Sequence, residues 1–196
     1  QHIGDASRCI QHMQKALTQM NVQLANVISD ISGATGQAIL TAILAGERDP
    51  QRLARLRDPR IHATEAEIAK SLEGNWRPEL LFVLKQELET YQIFQRKIEE
   101  CDEQLSSHYQ TMESKADPDL LEPVPRDKRA AHGNIPKGFD LREQLYRTTG
   151  VDLTGIDGIN VLTAQTLLAE VGGDMNRFPS EANFVSFLGL SPTNKI

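Results

Sequence analysis

Apolar residues recur at alternating spacings of three and four through Ile10, Met13, Leu17, Met20, Leu24, Val27 and Ile31, with polar residues between them. That is the seam of a helix that packs on another helix, and Ser32-Gly33 marks its end. Beyond it, Gly33-Ala-Thr-Gly36 leads into an apolar run from Ile39 to Leu44 that stops at Gly46. Asp49-Pro50 has the order of an N-cap followed by proline in the first helical turn. Thr64 and Glu67 have capping-box spacing for a helix ending near Gly74.

The longest periodic stretch starts at Pro78 and runs to about Lys115, through Leu81, Leu84, Leu88, Tyr91, Gln95, Ile98, Asp102, Leu105, Tyr109 and Met112. A helix of that extent is about 55 Å long, more than a small globule covers. It is expected to pair with the first helix as an antiparallel coiled coil, or to form a seam between subunits. Gln95 and Asp102 in the seam lower stability but help fix register. Four prolines, Pro118, Pro123, Pro125 and Pro136, then exclude long helices. Phe139 to Thr149 reads as a short helix, and a further unit starts at Val151. No segment alternates with strand period. The expected fold is all-α: long coiled-coil helices, short helical hairpins and a helix-hairpin-helix-like C-terminal unit. The expected divisions are a central region 1–116, a Pro-rich linker 117–138 and a last unit 139–196.

Composition narrows the function. With 21 Lys+Arg against 27 Asp+Glu, the net charge is -6, opposite to the usual basic nucleic-acid module. Contact with nucleic acid must then be local. Cys9 and Cys101 lack ligand spacing, and the five histidines are scattered, so no metal site is expected. Apolar runs are too short to span a membrane, and a cytoplasmic location is the default. The chain begins at Gln1 and stops shortly after Ser191-Pro192; both ends read as cut from a longer polypeptide.

The candidate chemistry lies in Leu153-Thr-Gly155-Ile-Asp-Gly158-Ile-Asn-Val-Leu-Thr163-Ala164 and the helix expected from about Ile159 to Val171. A glycine-flanked turn feeding a helix presents unpaired amides and the positive end of the helix dipole. Such a terminus can hold a phosphate without lysine. Gly155, Ile156, Gly158, Ile159 and Thr163 are the candidate contacts, although two glycines equally suit an ordinary interhelical turn. Gly33, Gly36 and Thr41 echo the same pattern, as a paired hairpin would.

Arg126, Lys128, Arg129 and Lys137, with Arg142 and Arg147, form a basic cluster; Lys195 adds a cation near the end. The cluster suits phosphates and suits solvated linker charge as well. Arg48, Arg52, Arg55, Arg57 and Arg60 make a second strip, interleaved with Glu47, Asp49 and Asp58. Trp76 and Tyr91 are expected to pack rather than stack on bases. Asp157 is read as a turn residue and Glu170 as an exposed helix position.

The hairpin followed by Asp174-Met-Asn-Arg-Phe178-Pro-Ser-Glu-Ala-Asn-Phe184-Val-Ser-Phe187-Leu-Gly-Leu-Ser-Pro192 resembles the C-terminal domain of the DEDD-type insertion-sequence transposases (the IS one-ten/IS eleven-eleven family). Gln11 to Met20, Ala45 to Pro50 and Gly74 to Pro78 are similar to the central helical region of that family. Pilin-inverting recombinases are relatives. The resemblance implies DNA as partner, a structured noncoding guide RNA, and a two-part active site. One part is a RuvC-like domain whose four acidic residues bind a divalent metal, Mg by preference. The other is a serine in a Ser-Gly-Gly stretch beyond a Pro-x-x-Lys-Ile turn. The RuvC-like pattern is missing here and the chain stops at Ile196, so no catalytic residue and no cofactor are assigned; Ser191 is not given the serine's role.

The expected function is a nucleic-acid-binding and homo-oligomer-forming fragment of a transposase for site-specific recombination. Two alternatives stand beside it: a non-catalytic helix-hairpin-helix DNA-binding scaffold, and a structural coiled-coil protein.

Overall fold

A computed structural model describes residues 1–123 and 134–189 of the chain. Among these residues the regular elements are helices, with no strand. They form two compact units, Gln1–Cys101 and Asp102–Ile196.

In the first unit, α1 (His2–Gln19) ends well before Ile31. Asn21 adopts a left-handed backbone with φ of 59°, a conformation asparagine tolerates better than most residues. The chain turns there and makes only a 3-10 turn at Leu24–Asn26. The apolar positions foreseen as one seam are nevertheless inside: Met13, Leu17, Met20, Leu24 and Ile31 are buried. Their period reflects a common core and not one continuous helix.

That core is closed by short helices whose ends follow local rules. α2 (Ala34–Leu44) supplies Ile39, Leu40 and Ile43. α3 (Pro50–Ala54) starts where the Asp49 side chain accepts from the Gln51 amide. α4 (Glu65–Ser71) carries the complete capping box, with the Thr64 hydroxyl accepting from the Glu67 amide and the Glu67 carboxylate from the Thr64 amide.

α5 (Pro78–Thr111) is about 50 Å long and begins in the first unit. There it buries Leu84, Leu88 and Tyr91. α1 runs antiparallel beside it, with His12 against Glu87 (3.0 Å) and His2 stacked near Phe94 (6.0 Å). Cys9 faces the same glutamate; burial and that carboxylate push its thiol up to about 11, an unreactive state.

The second unit has a smaller core. Tyr109 and Met112 from the end of α5 meet Leu141 and Leu145 of α6 (Leu141–Thr149) and Ala164 of α7 (Val161–Val171). The polar seam position Asp102 has a use, accepting the Lys137 amide at 2.9 Å. α8 (Glu181–Phe187) follows, capped by Ser180. No helix among the described residues is long and apolar enough to cross a membrane.

Candidate nucleic-acid interface

The turn between α6 and α7 is built by one glycine cap and two polar caps. Gly150, at φ 81°, terminates α6 in the left-handed region. Asp152 then caps a 3-10 turn, Leu153–Gly155, accepting from the Thr154 amide (3.0 Å) and hydroxyl (2.6 Å). Its second carboxylate oxygen accepts from Arg142 at 2.5 Å, and the same guanidinium donates to the Thr154 hydroxyl at 3.0 Å. Burial pushes the Asp152 carboxyl up, but the bonds from Arg142 and Thr154 outweigh it and hold the group below the usual carboxylate range. Finally Asn160 caps α7, accepting from the Thr163 amide at 2.9 Å.

Gly158 makes the turn possible. Its φ of 85° lies where a side chain is strained. Gly155 has no such requirement, and a Cβ at either position would meet nothing within 4 Å. The stretch Gly155–Gly158 is exposed, with Ile156 about half accessible. The entrance to α7 is therefore open to solvent.

The turn's donors are not distributed as the candidate residues implied. The Gly155 amide donates to Asp152 O, Ile156 to Leu153 O, and Ile159 to Ile156 O. Ile159 also packs against the core, and Thr163 is held by the Asn160 cap. Within the stretch Gly155–Thr163, the amides without an acceptor among the described residues are those of Asp157, Gly158, Asn160, Val161 and Leu162. Of the five turn candidates, Gly158 alone offers such a donor. Sequence reading missed Asn160 by starting the helix at Ile159. The signal was present: asparagine directly before an apolar run, with a threonine three positions on.

The cations are largely committed within the protein. Arg147 caps the last turn of α5, donating to the carbonyls of Met112 (3.0 Å) and Tyr109. Arg177 donates to Val171 O and lies over the Phe178 and Phe187 rings. Lys115 reaches Gly173 O at 2.7 Å. Lys137 is exposed. Arg126, Lys128, Arg129, Lys195 and Ser191 lie outside the described residues.

In the first unit most of the arginine strip is engaged within the protein. Arg52 meets Glu47 and Asp49, and Arg60 meets Asp58 at 2.7 Å. Arg57 donates to the carbonyls of Ile61 and Ala63, and Arg48 lies over Trp76 at 5.0 Å. Trp76 and Tyr91 both belong to the first core.

The second glycine pair differs from the first. Gly36 lies inside α2, where a Cβ would come within 2.1 Å of Ile31 O. It allows close packing and forms no second hairpin. Among the described residues, no group of three or more His, Cys, Asp or Glu is arranged to hold a metal ion.

The fold and turn thus define an all-helical protein with an exposed, amide-rich turn between two packed helices. Residues 152–196, which span that turn, α7 and α8, match the family described as Transposase IS116/IS110/IS902 family. No curated protein and no solved structure matches the chain.

Proposed function

We propose that this chain is a nucleic-acid-handling and self-assembling part of an insertion-sequence transposase, and that the α6–α7 turn grips the phosphate backbone of DNA. The observation that carries this reading is the open row of amides at Asp157, Gly158, Asn160, Val161 and Leu162 at the start of an eleven-residue helix. Backbone amides and the helix dipole attract a phosphate without net positive charge, which suits a chain of charge -6. The family match over the same residues supports it.

In this reading the chemistry belongs to the parent transposase of DEDD type. A RuvC-like domain would bring the divalent metal, and a serine outside this chain would attack the phosphodiester. A structured guide RNA and a cytoplasmic setting belong to the same proposal, as does the kinship with pilin-inverting recombinases. The chain's own residues bind and orient nucleic acid and hold copies together.

Fluorescence anisotropy with duplex DNA and with a structured RNA, over a range of salt, tests the reading. Gly158→Val is expected to weaken DNA binding at least about tenfold, roughly 1.4 kcal/mol, while circular dichroism shows helix content retained. Undiminished binding by a folded Gly158→Val protein, or no binding by the unaltered chain at low salt, counts against it.

A further inference from the structure

α5 carries a second stripe that the first unit's core does not use. Phe82, Gln86, Glu89 and Ile93 are spaced four, three and four, on the side of the helix opposite Leu84, Leu88 and Tyr91. Phe82 is 64% and Ile93 47% exposed. Single exposed apolar residues are ordinary; two large ones on one ridge, three turns apart, form a seam without a partner.

The charges around the ridge say what fits it. Glu79 and Arg96 are exposed at its two ends. Lay a second α5 antiparallel on the first, with a two-fold axis passing between Glu87 and Leu88. Phe82 then faces Ile93 of the other copy, Gln86 faces Glu89, and Glu79 faces Arg96, each contact occurring twice. A parallel arrangement sets Glu79, Glu89 and Arg96 each against itself, which like charges oppose. The stripe is therefore complementary to itself in one direction only, as an isologous interface requires.

We infer that the Phe82–Ile93 ridge of α5 is the surface on which a second copy of this chain docks, antiparallel. The inference rests on the self-assembly part of the proposed function and supplies its face and register. Glu79 and Glu89 are met within their own chain by Arg77 and Lys85. These exposed pairs exchange partners at little cost.

Sedimentation equilibrium of the full chain, from micromolar to submillimolar concentration, tests this. A monomer–dimer equilibrium is expected. Phe82→Glu and Ile93→Glu are each expected to weaken it about a hundredfold, because each change strikes two symmetry-related contacts. Glu79→Arg is expected to weaken dimerisation, and adding Arg96→Glu to restore it. These are surface positions, so helix content is expected to persist, and circular dichroism checks it. A monomer throughout overturns both the inference and the self-assembly reading. A dimer indifferent to Phe82→Glu overturns the face and leaves self-assembly standing. Sensitivity at Phe82 with no rescue by the double charge exchange overturns the antiparallel register.

Discussion

Gly33-Ala-Thr-Gly36 and Gly155-Ile-Asp-Gly158 have the same glycine spacing, and each adjoins a helix of eleven residues. The fold uses them in opposite ways. In the first, Gly33 is the N-cap and Gly36 is already inside the helix, pressed on the backbone of Ile31. In the second, both glycines precede the helix, and nothing of the protein approaches them. One pair serves contact with the protein's own backbone; the other leaves backbone accessible from outside. A short glycine motif therefore defines an opportunity, and its surroundings decide whether packing or binding takes it.

The largest expected effect lies at the packed site. In Gly36→Ala the new Cβ meets Ile31 O and C at 2.1 and 2.4 Å, both backbone atoms. Overpacking costs roughly 1–3 kcal/mol and sometimes more, and this site belongs at the upper end because no side chain can swing aside. Urea unfolding monitored by circular dichroism should register about 3 kcal/mol. A loss under about 0.5 kcal/mol would mean that α2 shifts freely, and the contrast with Gly158 would collapse.

A smaller effect tests how firmly the exposed turn is built. Arg142 and Asp152 are 18% and 25% exposed and share Thr154. Removing a hydrogen-bonded charge there costs about 1.5–3 kcal/mol, so Asp152→Asn should lose about 2 kcal/mol at neutral pH. The sign with pH follows from the lowered pKa. A carboxyl held below its unfolded value stabilises fully above that value, near 3.9, and loses the contribution as pH falls through the folded value. The gap between the unaltered chain and Asp152→Asn should be constant from about pH 7 to 5 and close under stronger acid. A gap that widens on acidification would mean that Arg142 does not hold this carboxylate.

The two regions also differ in how much of them was readable from sequence. Caps were legible at Asp49 and at Thr64 with Glu67, because capping is local chemistry with fixed spacing. The burial of Met13, Leu17, Met20 and Ile31 was legible as well. Continuity of α1 was not, since periodicity marks which face is buried and cannot see a left-handed Asn21. Nor did sequence separate free from tethered cations. Arg142 and Arg147 were grouped with a basic cluster, yet they bind the turn and the end of α5 through contacts 10 to 38 residues away. Such pairings depend on how helices meet, which single-chain spacing does not encode. The glycine turn before α7 was legible, but with Asn160 as the cap the helix starts at Val161, and of the five turn candidates only Gly158 keeps an open amide.

The smallest expected effect separates folding from binding most cleanly. Gly155 lies outside the positive-φ region and has no neighbour within 4 Å of a Cβ, so the fold does not require glycine there. Replacing such a glycine with alanine reduces the freedom of the unfolded chain and stabilises by about 0.4–1 kcal/mol. Gly158→Ala must instead place an L residue at φ 85°, at a cost of roughly 1–2 kcal/mol. If the turn meets phosphates, Gly155→Ala adds a methyl group beside the path of approach, and DNA affinity should fall even as stability rises. Opposite movements in thermal unfolding and anisotropy would assign the absence of a side chain at Gly155 to an external ligand. A variant that gains stability and binds DNA unchanged would place the phosphate farther along, over Asn160 to Leu162.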